Sequence, residues 1–281
     1  MKAFFAALQF MTIIPLPKRL ASGTDALKKG VPFFPLIGLI IGLLAVGLDL
    51  LIKPCLQQFP ASVILVIFLT GISGGLHMDG LADTADGFLS SRPREKILEI
   101  MKDSHIGVMG VIAIVFDILI KVAVLSSLPA DIRSKAIFLM PLAGRTAIVI
   151  MMTFLSYVRK EGGLATIFGE SRYYLHVLWA MLILLGAGGL IAGWSGLAAG
   201  IASLIAAAMF IVYTYRKIGG FTGDTLGAVC EITEIMPPLV FLIWATRLRN
   251  IILDLAFRSH EATILHQCTV SLAACAIEGY L

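Results

Sequence analysis

The chain has 281 residues, of which 58% are hydrophobic and only 14% are charged. Because soluble domains carry roughly 25% charged residues, this composition excludes an ordinary soluble protein and predicts an integral membrane protein. The formal net charge of +4 comes from residues between apolar segments, so it bears on membrane orientation and predicts no nucleic-acid partner.

The opening stretch MKAFFAALQFMTIIPLP is apolar, is broken by Pro15 and Pro17, and has no small-residue cleavage pattern. We therefore predict an interfacial helix within residues 1–20 rather than a signal peptide. Seven later segments approach or exceed the ~20 apolar residues needed to cross a bilayer, although the second and the last are short. These candidate spans are Val31–Ile52, Ala61–Leu76, Ile106–Leu128, Ala136–Val158, Tyr174–Trp194, Gly196–Tyr215 and Ile235–Ala245.

The spans predict an all-α, polytopic membrane protein with six to seven transmembrane helices. No long polar linker divides the chain, so we expect a single domain over residues 1–281. With the N-terminus inside, 14 of the 20 Lys and Arg residues that connect the spans fall on the cytoplasmic side, which follows the positive-inside rule. The four cysteines form no CxxC pair and predict neither a zinc site nor a disulfide framework.

A polar stretch, GGLHMDGLADTADGF at residues 74–88, follows the second span. Its Asp79, Asp83 and Asp86 are spaced i, i+4 and i+7, and on a helix they would lie within about 60° of one another. Like charges this close need positive compensation. Mg²⁺ takes carboxylate oxygens, keeps some waters and bridges to substrate phosphates, so we predict a magnesium site. For His77 two interpretations stay open: a metal ligand, or a polar cap on the span.

The polar region continues as SSRPREKILEIMKDSHIG, where Ser91 is expected to cap a short helix with Pro93 in its first turn. This helix is expected to lie against the membrane surface and to bring Lys102 and Asp103 back to the aspartates. A second polar stretch, RKIGGFTGDTLGAVCEITE, is rich in glycines that permit close approach of the backbone to a ligand. It adds three carboxylates on the same predicted side: Asp224, Glu231 and Glu234.

Some charged residues fall inside predicted spans, where an ionisable side chain is a functional hypothesis by default. Asp117 and Lys121 are spaced i, i+4 and are expected to neutralise each other. Arg145 has no partner on its own helix, so it must meet a carboxylate, a phosphate or water. We expect a functional role for Arg145.

Two functional classes fit these features in part. The segment DTADGFLSSR partly resembles the DxxDGxxAR signature of CDP-alcohol phosphotransferases, which perform metal-assisted phosphoryl transfer in membranes, but Arg92 comes one position late. A small secondary transporter is the alternative from a different class. Transporter sites lie near the bilayer midplane, often between inverted repeats, whereas these carboxylates cluster in predicted loops and no internal repeat is found.

A more specific resemblance covers most of the chain. The segments LQFMTIIPLP, GGLHMDGLADTADGF, IMKDSHIGVMG, YVRKEGGLA and GGFTGDTLGA, in this order, resemble the cobalamin synthase family, also called adenosylcobinamide-GDP ribazoletransferases. The resemblance implies a Mg²⁺-dependent, multi-pass enzyme of the bacterial inner membrane, with a homo-oligomer as an open expectation. It would join adenosylcobinamide-GDP to α-ribazole or α-ribazole 5′-phosphate and release GMP, giving adenosylcobalamin or its 5′-phosphate.

The resemblance also implies roles for particular residues. Asp79, Asp83 and Asp86 would hold Mg²⁺ on the diphosphate, and Asp103 would be a further ligand or the base that takes the hydroxyl proton. Asp224 would accept a hydrogen bond from a ribose or ribazole hydroxyl, or would contact the metal. The remaining candidates would bind substrate: His77, Arg92, Lys102, Arg145 and Arg159. Residues from about 250 to 281 do not resemble the family and form an atypical tail.

Overall fold

A computed structural model describes residues 1–17, 23–159, 167–168, 174–247 and 250. The chain divides into two compact units, Met1–Phe241 and Leu242–Leu281. In the first unit the described segments are helices and short connections. These helices are α1 (Lys2–Met11), α2 (Thr24–Lys28), α3 (Phe34–Ile52), α4 (Gln58–Ile72), α5 (Leu76–Phe88), α6 (Arg94–Ile100), α7 (Val108–Ser127), α8 (Ala130–Phe154), α9 (Tyr174–Ile218) and α10 (Gly223–Glu234).

The predicted all-α, polytopic fold is confirmed. Five described helices are long and apolar enough to cross a membrane, and the count rises to six if the bent pair α4 and α5, which meet at 88°, forms one span. The predicted span Ala61–Leu76 thus ends early, because Gly74 and Gly75 adopt positive φ and turn the chain into α5. The five helices are Val31–Ile52, Val108–Ser127, Ala130–Phe154, Tyr174–Ile218 and Gly223–Arg247.

Helix α9 consists of two antiparallel arms. Its 45 residues would extend about 68 Å as one straight helix, roughly twice the thickness of a bilayer core. Gly193 breaks it with φ 58° and ψ −132°. A Cβ atom built on Gly188 would lie 2.6 Å from the carbonyl oxygen of Gly196, so the two arms touch through their backbones. The break separates the two spans predicted on either side of residue 195.

The central helix of the fold is α8. In the apolar stretch that makes α8 a candidate span, 89% of the residues are buried inside the protein, compared with 33% in that of α7. Helix α3 packs closely on it because Gly38 leaves no side chain in the way: a Cβ there would lie 2.7 Å from the carbonyl oxygen of Pro141. Arg145 therefore lies at the centre of the helix bundle rather than at the lipid surface.

Local predictions for the two polar stretches were wrong. Ser91 does not cap α6, because it adopts a left-handed φ of 53° and Pro93 occupies the N-cap position. The apolar face of α6 packs against protein, since Ile97 and Met101 are buried beside Phe88 and Ile218. The second polar stretch is not a loop either. Most of it forms α10, and after Glu234 the helix continues as part of the candidate span Gly223–Arg247.

Candidate active site

A cavity of about 410 Å³ opens between α1, α5, α8 and α10. Its walls combine apolar side chains with a small set of polar groups, as is usual for small-molecule sites. Apolar contacts come from Phe10, Met11, Ile148 and Leu226. The ionisable side chains in its lining are His77, Asp79, Tyr157, Arg159 and Asp224.

The cavity exists because α5 and α10 cross at two glycines. A Cβ atom on Gly80 would lie 2.6 Å from the carbonyl oxygen of Asp224, and one on Gly227 would lie 2.8 Å from that of His77. Only glycine lets the two backbones approach this closely. The crossing places the aspartate face of α5 beside the first turn of α10, although about 140 residues separate them in the sequence.

Asp79 and Asp83 are the carboxylates available to a cation. Within the described residues neither accepts a hydrogen bond or forms an ion pair. Asp79 is exposed and Asp83 is half-buried, with the charges of Asp79 and Asp224 acting on it. Mutual repulsion of these carboxylates is relieved by a bound cation. No three His, Cys, Asp or Glu side chains in the described part of the chain are arranged as a complete metal site. One or two carboxylates with substrate phosphates and water are a typical set for Mg²⁺, and Asp79 with Asp83 fits it.

Asp86, predicted together with these metal ligands, has a different place. Its Oδ2 accepts a hydrogen bond from the Gly107 backbone N–H at 2.7 Å, and its Oδ1 accepts one from Gly110 at 2.8 Å. Asp86 therefore caps the N-terminus of α7, where unpaired N–H groups and the helix dipole favour a negative charge. Asp86 shares a helical face with Asp79 and Asp83, but both of its carboxylate oxygens are thus already bonded to backbone amides.

Asp224 is paired with Arg159 at the cavity wall. Arg159 donates through Nη2 to Asp224 Oδ2 at 2.5 Å and to the Met101 carbonyl at 3.0 Å. The segment that carries Arg159 is held beside the start of α10 by two backbone hydrogen bonds: the Val158 N–H donates to the Phe221 carbonyl at 3.1 Å, and the Phe221 N–H donates to the Ser156 carbonyl at 2.9 Å. Thr222 caps α10 and also donates to Asp224 Oδ2 at 3.3 Å. The structure therefore brings the predicted residues Arg159 and Asp224 together.

A buried charge cluster lies beside the cavity. Lys121 contacts Asp117 at 2.9 Å, which confirms the predicted pair, and it also contacts Glu231 and, at 3.6 Å, Glu234. Arg145 donates to Glu234. The two glutamates, predicted to lie in a loop, are instead 4% exposed, because α10 is continuous with a span. We call Asp117, Lys121, Arg145, Glu231 and Glu234 the buried charge cluster.

Arg145 thus meets a carboxylate, one of the three partners that the sequence left open. It is 2% exposed and does not line the cavity, so its predicted contact with phosphate is not direct in this structure. Its Nη2 lies 3.4 Å from His77 Nδ1. His77 is 3% exposed and does line the cavity, so it joins the buried charge cluster to the site.

Comparison with known proteins decides the family. The cobalamin-5-phosphate synthase family model matches residues 3–242. The chain belongs to the cobalamin-5-phosphate synthase family. Curated relatives named adenosylcobinamide-GDP ribazoletransferase include one from Clostridium novyi, 39% identical over 86% of this chain and 97% of the relative. Others are from Caldanaerobacter subterraneus, 36% identical over 86% and 98%, and from Geotalea daltonii, 33% identical over 84% and 95%. No solved structure matches the chain.

Family membership decides among the functional classes that sequence patterns left open: the chain belongs neither with the CDP-alcohol phosphotransferases nor with secondary transporters. The match ends at residue 242. The tail from about residue 250 to 281, which does not resemble the family, follows it. The residues of that tail from 251 to 281 lie outside the described residues.

The remaining predicted residues surround the site less closely. Lys102 is exposed, and its charge acts on the cavity residue Tyr157. Arg92 is exposed in the turn before α6. Asp103 is also exposed, and its Oδ1 accepts hydrogen bonds from the His105 ring at 2.7 Å and from the His105 backbone. These hydrogen bonds hold the pKa of Asp103 below its ordinary value, which makes it a weaker proton acceptor.

Sequence reasoning missed several residues of the cavity. Gln9 and Phe10 belong to the N-terminal helix, which was assigned to the membrane interface, and Tyr157 belongs to a short connection. Both segments belong to motifs that carry the family resemblance, LQFMTIIPLP and YVRKEGGLA, but no residue pattern within them indicates a ligand by itself. The pairing of Arg145 with Glu234 had a partial signal, because an unpartnered arginine inside a span requires a buried carboxylate or its equivalent on another helix.

Proposed function

We propose that this chain is an adenosylcobinamide-GDP ribazoletransferase, which joins adenosylcobinamide-GDP to α-ribazole or its 5′-phosphate and releases GMP. The observation that carries the proposal is the cavity, whose lining holds Asp79 of α5 together with the Arg159–Asp224 pair. Asp83 follows one helical turn after Asp79, and neither carboxylate has a partner among the described residues. This arrangement suits a diphosphate that arrives with a divalent cation. The names of the curated relatives support the same activity.

The reaction is a substitution at phosphorus. The hydroxyl oxygen of the ribazole forms a bond to the phosphorus next to cobinamide, and the bond from that phosphorus to the bridging oxygen breaks. GMP leaves with the bridging oxygen and the bonding electron pair, and the attacking hydroxyl gives up its proton. Catalysis of such a transfer rests on positioning and on stabilising charge on the phosphoryl oxygens.

We propose Asp79 and Asp83 as the residues that hold Mg²⁺. When bound, Mg²⁺ would neutralise charge on the diphosphate and on the departing GMP. Arg159, which is fixed by Asp224 and by the Met101 carbonyl, presents its remaining guanidinium surface to phosphate. Lys102 is a second cation near the site, since its charge acts on the cavity residue Tyr157. The free carboxylate oxygen of Asp224 accepts a hydrogen bond from the hydroxyl of the ribazole.

The size of the cavity limits which parts of the two substrates it can hold. At about 410 Å³ it lies near the lower end of the ~300–1,000 Å³ usual for ligand sites. We propose that it receives the ribazole and the diphosphate, and that the much larger corrin remains outside. The apolar wall formed by Phe10, Met11 and Ile148 suits the planar base of the ribazole.

We propose that the enzyme lies in the bacterial inner membrane with this cavity at the cytoplasmic side. The surplus of Lys and Arg in the segments on that side supports this orientation. Nucleotide-activated substrates are made in the cytoplasm, so a cavity on that side needs no transport step.

The test is a direct assay of the purified protein in detergent or nanodiscs. GMP should appear only when a GDP-activated corrinoid, a ribazole and Mg²⁺ are all present, and in equal amount to the new corrinoid product. The Asp79→Asn variant, purified in parallel, is the matched control. Absence of GMP above that control would contradict the proposal. Release of GMP without ribazole would show a hydrolase instead.

A further inference from the structure

His77 lies between two environments. One side of its ring faces the buried charge cluster, where its Nδ1 lies 3.4 Å from Arg145 Nη2, and the residue also lines the cavity. Its backbone cannot move away, because α10 packs on it at Gly227, where a Cβ atom would lie 3.0 Å from the His77 Cα. The position of this ring is therefore set from two directions.

The contact with Arg145 determines which ring nitrogen carries the proton. An arginine guanidinium can only donate hydrogen bonds, so the His77 Nδ1 must accept. A neutral imidazole that accepts at Nδ1 carries its hydrogen on Nε2. In the described part of the chain, Nε2 has no protein partner, and it is not sealed from the cavity.

Arg145 is in turn held by the buried charge cluster. Glu234 accepts from Arg145 and also lies 3.6 Å from Lys121, which contacts Asp117 and Glu231. These residues come from α7, α8 and α10, so the helices around the cavity are joined through one set of paired charges. Removing one member of such a network strongly destabilises the fold, because another charge is then buried without a partner.

We propose that His77 is a fixed, neutral hydrogen-bond donor, whose Nε2–H donates to a phosphoryl oxygen of the substrate, and that Arg145 and Glu234 are positioning residues that set its tautomer. The identity of the acceptor rests on the proposed function. The donor is rigid before substrate binds, which is the property that makes such groups effective against charge that develops during transfer. A nitrogen that carries hydrogen has no lone pair for a metal, so His77 is not a metal ligand.

The first test measures the tautomer and needs no substrate. The chain has five histidines, so ¹⁵N-histidine labelling gives few signals, and the His77→Gln variant assigns the one from His77. We expect Nδ1 without hydrogen and Nε2 with hydrogen in the wild-type protein. Hydrogen on Nδ1, or on both nitrogens, would overturn the proposal whether or not the protein makes a cobalamin. Failure of the transferase assay with the expected tautomer would instead count against the proposed function.

The second test compares two amides at position 77. The amide nitrogen of Gln reaches close to the position of Nε2, whereas that of Asn reaches only to the position of Nδ1. We expect His77→Gln to retain kcat within about tenfold of wild type and His77→Asn to lose about 100-fold, with little change in KM for the ribazole. Thermal unfolding checks that both variants fold. Equal losses in two folded variants would overturn the donor role.

The third test addresses the positioning residues. Replacing Arg145 alone would leave Glu234 without its cation, so Arg145→Gln is combined with Glu234→Gln. For this double variant we expect a mixture of His77 tautomers and a fall in kcat of about tenfold or more. Compared with it, we expect Arg145→Lys to restore part of the wild-type tautomer preference and part of kcat. A folded double variant that keeps the wild-type tautomer and kcat would show that Arg145 and Glu234 do not position His77.

Discussion

Arg159 donates through Nη2 to Oδ2 of Asp224 at 2.5 Å and thereby joins the segment after α8 to the first turn of α10. Both side chains remain partly exposed to the cavity, at 17% and 18%. The pair leaves one carboxylate oxygen of Asp224 free, and this oxygen has two competing roles: acceptor for a substrate hydroxyl, or further contact for Mg²⁺.

The Asp224→Asn variant separates these roles. Loss of the charge weakens the acceptor and frees Arg159, so we expect KM for the ribazole to rise about tenfold or more, with binding of the GDP-corrinoid and the Mg²⁺ requirement unchanged. Steady-state kinetics with each substrate varied in turn measures this. Recovery of activity on adding Mg²⁺ would assign Asp224 to the metal. Normal ribazole kinetics would contradict both roles.

Asp79→Asn and Asp83→Asn test the cation site. Each change keeps the size of the side chain but removes a charge that attracts Mg²⁺, so we expect the Mg²⁺ concentration for half-maximal rate to rise about 100-fold or more, or turnover to be lost. Both proteins should still insert in the membrane. If the two variants keep a normal rate and metal requirement, the carboxylates do not hold a metal.

Asp103→Asn is the comparison for the proton acceptor predicted from the family resemblance. The hydrogen bonds from His105 lower the pKa of Asp103, so its carboxylate binds a proton less readily than an ordinary aspartate. We therefore expect a change of less than about tenfold in kcat. A loss of about 100-fold or more in a folded variant would restore Asp103 as the base, with substrate displacing His105.

Asp86→Ala should act on stability rather than on metal binding. The change removes both acceptors for the Gly107 and Gly110 amides at the start of α7, and loss of such a cap costs about 0.5–2 kcal/mol. Denaturant or thermal unfolding in detergent measures the loss. The Mg²⁺ concentration for half-maximal rate should match wild type, in contrast to the Asp79 variant. A raised Mg²⁺ requirement at unchanged stability would return Asp86 to the metal site.

Gly227→Ala tests the crossing of α5 and α10. A methyl group would lie 2.8 Å from the His77 carbonyl oxygen, so the helices must separate and the cavity must change shape. We expect lower thermal stability and a fall in kcat. Gly71→Ala, also in a helix but with nothing within 4 Å of the added Cβ, is the matched control and should be neutral or slightly stabilising. Equal behaviour of the two variants would contradict the tight crossing.

The orientation is tested with single cysteines in intact cells. Cys55 is exposed between α3 and α4, on the side assigned to the outside, and should react with an impermeant thiol reagent when the other cysteines are replaced. Lys96→Cys, in the exposed part of α6 and in a background without native cysteines, should react only after the cells are opened. Reversal of this pattern would place the cavity on the opposite side of the membrane.

The amino-acid sequence by itself determined the class of the protein. Apolar segments of bilayer length predict spans whatever the packing, because the hydrocarbon core admits few other structures. Spacing also placed Asp79 and Asp83 on one face of a helix, and Asp117 beside Lys121, because neighbours one helical turn apart follow from the helix alone. The long, rare motifs identified the family, and the comparison confirmed it.

Only the tertiary structure decided what most of these charged residues contact. Asp86 lies on the same helical face as Asp79 and Asp83, yet it caps α7, whose first amides lie 21 residues further along the chain. Arg145 pairs with Glu234, 89 residues away, and Arg159 with Asp224, 65 residues away. Such pairs depend on which helices cross and at what distance. That is set by glycine contacts such as the one between Gly80 and Asp224, and helical periodicity carries no information about partners on other helices.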